Sequence, residues 1–218
     1  MKRRLSAVLS AAVALLALSA GNLWADVNED IGNLQHRWAE VNYLLKGKAQ
    51  LSAFESLTSD ADRVVASYPS DAAPLIWRGI IKSTHAGAKG GLGALGLAKS
   101  SKADLEAAIK IDANALDGSA YTSLGTLYFN VPGWPIGFGD DKKAEDLLRK
   151  ALVLNPDGID SNYFFGNYLL KKKRYAEAKT YYLKAKSAPP RPNRPVADEG
   201  RQKEISEALA TVEKKLKD

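Results

Sequence analysis

The amino-acid sequence predicts an all-α solenoid of about three to four helical hairpins with a C-terminal capping helix. Two observations carry this. A spaced set of small, aromatic and proline residues recurs along the chain. Elsewhere the apolar residues fall at helical spacing, with no convincing strand alternation. The chain has no cysteine, so neither a disulfide nor a lipid-bearing cysteine can hold it. A solenoid can do without them, because each repeat buries its apolar face on the next.

The first segment reads as an address and not as part of the fold. Lys2, Arg3 and Arg4 precede an apolar run from Leu5 to Ala20, and small residues then lead to Leu23-Trp24-Ala25. Charge, apolar run and small-residue site, in that order, make a secretory signal peptide. Residues 1–25 are expected to be removed after Ala25, or alternatively near Ala20 or Gly21. An uncleaved anchor is the other possibility, although the run is shorter than the roughly 20 apolar residues a spanning helix needs. The expected location is therefore periplasmic or secreted, with no stable membrane span. The formal charge is +6, and the signal segment carries three of those charges and no acid. The remainder, at about +3 with lysines and acids interspersed, excludes a nucleic-acid groove.

Residues 26–218 then form one domain. Residues 28–68 read as an N-terminal hairpin. Trp38, Val41, Leu44 and Leu45 stripe its first helix, and Leu51, Phe54, Leu57, Ala61, Val64 and Val65 its second. Residues 74–113 form a looser unit, with Trp77 and Gly79 on one helix and Leu105, Ala108 and Ile111 on the other. In residues 118–156, Tyr121, Leu124, Gly125 and Tyr128 mark the first helix, and Ala144, Leu148, Ala151 and Pro156 the second. Residues 159–190 carry Phe165, Gly166 and Leu169, then Ala178, Tyr182, Ala185 and Pro190. Gly166 and Ala178 allow two helices to approach closely, and Pro190 stops the second because it has no N–H to donate. After the break at Pro189–Pro195, Ile205, Leu209, Val212 and Leu216 stripe a capping helix over 195–217, expected to lie on the last repeat. This spacing resembles the tetratricopeptide repeat, whose 34-residue unit carries small and aromatic residues at these places.

Two insertions depart from a plain repeat. Both fall between the first and second helices of a unit, so both are expected as neighbouring loops on one edge of the solenoid. The first, residues 86–96, is glycine-rich with Leu92 and Leu95; the second, residues 131–140, holds Val131-Pro132-Gly133-Trp134-Pro135 with Ile136 and Phe138. Long loops in compact domains are often functional. Trp134, Phe138, Ile136, Leu92 and Leu95 are candidate contacts for a partner or ligand, forming a lip over the concave groove; the alternative is that they extend the core. Arg191 and Arg194 are further candidates. With Arg201 they would meet an acidic partner or pair with Asp198 and Glu199.

Catalysis finds little here. His36 and His85 are the two histidines and are far apart in sequence, so no metal pair is signalled. His36 reads as solvated, and His85 as a cation closing a helix. Gly91, Gly93 and Gly96 fit G-x-G-x-x-G, and Gly93 to Ser100 comes near a phosphate loop, but no strand precedes them. Asp140 and Asp141 suit a helix start, and Lys171 to Arg174 a solvated helix end. No cofactor, metal or enzyme activity is expected. The function expected is a scaffold for a protein or peptide, or alternatively a carrier of a small apolar ligand held between the insertions.

Val131–Pro135 with Phe138-Gly139-Asp140, Asn155-Pro156, and Ala188–Pro192 with Asp198-Glu199-Gly200 are similar to segments of exported repeat proteins of the TRAP-transporter T-component type. The resemblance implies a periplasmic helical protein with an apolar channel that oligomerises or docks on a substrate-binding protein. The chain departs from that group in lacking the lipid-anchor cysteine and in its weak first repeat.

Overall fold

The computed structural model describes residues 27–217. The signal segment, 1–25, lies outside the described residues. Helix α1 spans 27–39 and widens into a π-turn at Glu40–Leu44. There follow α2 (Gly47–Ser67), α3 (Ala72–Lys89), α4 (Gly91–Ile111), α5 (Ala115–Asn130), α6 (Asp141–Leu154), α7 (Ile159–Lys171), α8 (Tyr175–Lys186) and α9 (Pro195–Lys215). The described residues contain no strand, only one isolated bridge between Gly133 and Gly139. None of their helices is long and apolar enough to cross a membrane.

One close contact repeats through three hairpins and explains their pairing. A Cβ on Gly79 would meet the Leu105 side chain at 2.8 Å, one on Gly125 would meet Leu148 at 2.8 Å, and one on Gly166 the Tyr182 ring at 2.7 Å. In each case a glycine of the first helix seats a fully buried residue of the second. Only hydrogen leaves room for helices packed this closely. Ala144, Ala151, Ala178 and Ala185 are completely buried, as their small size permits, and Leu124 and Tyr128 complete the core. Tyr121 is half-buried, with Lys150 over its ring, while Pro156 and Pro190 stand exposed beyond helix ends.

The first insertion differs from the expected loop. The glycine-rich segment is helical on both sides of a single hinge residue, Gly90, so it lengthens α3 and α4 to 18 and 21 residues against 13 and 12 in α7 and α8. Its alanines and leucines are strong helix formers, and their sum outweighs the scattered glycines. Gly90 and Gly91 take φ of 62° at the turn, a region that excludes most side chains. The second insertion is the loop it was expected to be. Asp140 caps α6 by accepting from the Lys142 and Lys143 backbone N–H groups.

The capping helix also does more than cover α8. It packs on α8 and α7, and its N-terminal part reaches the π-turn of α1. Ala197 joins the core of the first hairpin with Trp38, Trp77 and Ile81. Gly200 lies against the Tyr43 ring, and the Asn193 carbonyl meets His36 Nε2 at 2.6 Å. The last helix thus touches the first, and the solenoid closes on itself.

Candidate functional site

Closure turns the concave face into an interior with two cavities. In α1, α3, α5 and α7, the residues lining one cavity lie further along each helix than those lining the other. The first, of about 510 Å³, is mainly apolar; Trp38, Ala98, Leu127 and Val131 form part of its wall. The second, of about 370 Å³, is lined by Trp77, Ser119, Thr122, Arg191 and Arg194, among others.

An ion pair separates them. Arg201 lines the first cavity and Asp160 the second, and Arg201 Nε donates to Asp160 Oδ1 at 2.8 Å. Arg201 also holds Glu204 and lies over the Tyr163 and Phe164 rings at 4.4 and 4.6 Å. Arg191 binds the other oxygen of Asp160 at 2.7 Å and reaches Asp198 as well. Burial alone would raise the Asp160 pKa, but the Arg201 and Arg191 guanidinium groups hold it well below the usual carboxylate range. The simple pairing of these arginines with Asp198 and Glu199 therefore forms only in part: Arg191 takes Asp198, while Arg201 takes Asp160 and Glu204.

The predicted contact residues do not form one group. Leu95 and Ile136 line the first cavity, with Val131 and Pro132 beside Ile136. Trp134 and Phe138 do not line it. Trp134 is 90% exposed, the most exposed large apolar side chain of the described residues. Phe138 turns inward, its ring edge-on to Tyr128 at 5.5 Å and below Lys102. Leu92 sits in the first turn of α4, and its side chain lies outside the described set. Arg191 and Arg194 line the second cavity, remote from both insertions.

The 131–140 loop is tied down along its length. Gly139 N–H donates to the Pro132 carbonyl at 2.9 Å, Ile136 and Gly137 N–H to that of Gly133, and Asp140 N–H to that of Tyr128. Each of these bonds satisfies a backbone group that would otherwise need water, so Trp134 and Ile136 project from an ordered base.

The two histidines are placed differently. His85 is buried and stacked on Phe54 at 5.6 Å, with no partner for either ring nitrogen among the described residues. Burial, and then Lys89, lower its pKa, which disfavours the cation expected at this helix end. His36 is exposed, as expected. The described residues hold no group of three potential metal ligands. Lys171 to Arg174 are not merely solvated. Lys171 donates to the Phe129 carbonyl, Lys172 pairs with Asp141, and Arg174 with Glu145 and Glu177, stitching α7 and α8 to the preceding hairpin.

Sequence reasoning missed Trp38, Tyr163 and Phe164 as cavity walls. The aromatic run Tyr163-Phe164-Phe165 carried a signal, since only Phe165 occupies a repeat-signature place. Its two neighbours were free to face inward.

Comparison with known proteins supports the last hairpin directly. Residues 159–192 match the family model described as tetratricopeptide repeat. That segment is a tetratricopeptide repeat. The glycine-on-core contact within this repeat, Gly166 on Tyr182, has counterparts in the two preceding hairpins. A search of curated proteins finds no match. Among solved structures the chain is similar to the crystal structure of MamA, at 19% identity and a TM-score of 0.44, covering 78% of this chain and 92% of that one.

Proposed function

We propose that this protein is an exported repeat scaffold that engages a protein partner through the 131–140 loop at the mouth of the apolar cavity. The observation that carries the proposal is Trp134, 90% exposed, with Ile136 67% exposed beside it on a hydrogen-bonded loop. Large apolar side chains displayed together on an ordered base mark interaction sites, and tryptophan leads the residues that dominate binding energy. Solenoids commonly offer an extended groove. Here closure by α9 removes that groove, which favours recognition at a rim.

The test is photo-crosslinking from position 134 in the native compartment, followed by binding measurements with the captured protein. Trp134→Ala should weaken binding by a factor of about 30 or more, corresponding to a hot spot of about 2 kcal/mol. Unchanged affinity with an intact fold would refute it. Export is checked by the mass of the mature N-terminus, which should begin at Asp26. A transporter-associated role predicts that the captured protein is a periplasmic substrate-binding protein.

A second reading, a carrier of a small apolar molecule, is favoured by the size and apolar wall of the first cavity. Native mass spectrometry of protein from its own compartment should then reveal a co-purifying apolar mass. An empty chain would count against the carrier.

A further inference from the structure

Successive helices of a stacked hairpin array run in opposite directions, so the turns inside hairpins fall on one edge and the turns between hairpins on the other. The contacts bear this out. Asn42, Gly91 and Pro132, at the ends of α1, α3 and α5, line the first cavity together. The α7–α8 turn joins them, since Lys171 donates to the Phe129 carbonyl and Lys172 pairs with Asp141. On the other edge Leu116 and Asp117 line the second cavity with Asn155 and Asp157, and a Cβ on Gly118 would meet the Leu154 side chain at 2.7 Å.

The two edges carry opposite charge. Residues 46–48, 89–91, 131–143 and 171–174 hold nine bases against two acids, and both acids are engaged: Asp140 caps α6 and Asp141 pairs with Lys172. Lys46, Lys48, Lys89, Lys142 and Lys173 are exposed there. Residues 68–71, 110–118 and 153–158 hold four acids, Asp71, Asp112, Asp117 and Asp157, against one base, Lys110. The α8–α9 turn differs, but its Arg191 and Arg194 lie in the field of Asp160 and Asp198.

Both edges also display large apolar side chains. Leu44, Trp134 and Ile136 are exposed on the basic edge. Ile111, Leu116, Leu154 and the 81% exposed Val153 stand at the acidic one, on the last turns of α4 and α6 and the turn after α4. A membrane or an unrelated acidic protein would cover the basic edge and leave Val153, Leu154 and their acids in water. A second copy of the chain covers both.

We propose that this chain associates with itself head to tail, the 131–140 loop and its flanking lysines docking on the ends of α4 and α6 of the next copy. The proposal rests on the reading of that loop as a contact site and names its partner. A two-fold pairing of basic edges would set like charges together, whereas the head-to-tail contact sets lysines against Asp112, Asp117 and Asp157. Such an interface repeats from copy to copy, making a ring where the rotation closes and a filament where it does not.

Sedimentation velocity of the purified chain, over concentrations up to about 1 mM, reads the assembly. Mass should grow with concentration at about 0.05 M NaCl, and association should weaken at least tenfold at about 0.5 M. Two double variants at exposed positions separate the faces: Trp134→Ala with Lys142→Glu, and Val153→Lys with Asp157→Lys. Each should be monomeric alone and folded by circular dichroism. Mixed, they should form a one-to-one dimer and stop there, because each keeps the face the other has lost. If either misfolds, a photo-crosslinker at position 134 of the otherwise unaltered chain must reach residues 153–157 of another copy. A parent chain that stays monomeric at low salt, folded variants that assemble as before, a mixture that stays monomeric, or crosslinks confined to other residues would overturn the proposal. So would salt-sensitive binding to phosphatidylglycerol vesicles by a chain that remains monomeric. A monomeric chain whose Trp134→Ala variant still loses a captured protein would sink this inference and leave the scaffold reading intact.

Discussion

Replacing Arg201 by methionine tests the seating of the last helix, α9, on α7 most directly. The side chain is 8% exposed, holds Asp160 at 2.8 Å, and lies between two aromatic rings and Glu204. Methionine keeps much of the apolar stem and removes the charge. Breaking one side of a buried ion pair costs about 3–5 kcal/mol, largely because the remaining charge is left without compensation. Arg191 still holds Asp160 at 2.7 Å, which places the expected loss near the lower end, at about 3 kcal/mol. For a domain of this size each kcal/mol shifts Tm by about 2–4 °C, so the melting temperature should fall by about 6–12 °C. Urea unfolding followed by circular dichroism measures the loss. A double-mutant cycle with Asp160→Asn isolates the pair and should give a coupling of at least 1 kcal/mol or so. A single variant within about 0.5 kcal/mol of the parent, or a strictly additive cycle, would refute the idea that this pair anchors α9 on α7.

Two glycine substitutions should have opposite signs. Gly166→Ala drives a methyl into the fully buried Tyr182 ring and should cost about 1–3 kcal/mol in thermal unfolding. Gly96→Ala, on the exposed face of α4 with nothing near its Cβ, should stabilise by about 0.5–1 kcal/mol. The folded-state pKa of His85 is lowered, so below its ordinary value of about 6.5 the unfolded chain binds a proton that the folded chain resists. Stability should therefore fall between pH 7 and 5, and His85→Phe should flatten that slope in denaturant titrations. Asp160 has a depressed pKa, so its contribution is present above about pH 4 and is lost on further acidification. Asp160→Asn should remove that part of the acid transition.

The recurrence of glycine, alanine and aromatic residues was enough to read hairpins, because close helix packing demands small side chains at fixed places on each helix. Gly125, Gly166, Ala144 and Ala178 declare such contacts in one dimension. The candidate site was less legible. Trp134 and Ile136 stood out because apolar residues amid prolines and glycines seldom lie in a solvated loop, but nothing in the sequence distinguished the outward Trp134 from the inward Phe138. That choice depends on Tyr128 and Lys102, which come from two other helices. The glycine-rich segment read as a loop because glycine signals turns, while the helix formers around it, together with one hinge at Gly90, extend two helices instead.

By itself the sequence determined the repeat class and the cysteine-free packing strategy, both of which depend on local spacing and composition. Only the tertiary structure decided that α9 returns to α1. Closure depends on Ala197 and Gly200 meeting Trp38 and Tyr43, while Arg201 ties the same helix to Asp160 of α7. These residues are far apart in the chain, and no periodicity links them. The two cavities and the ion pair between them follow from that one long-range contact.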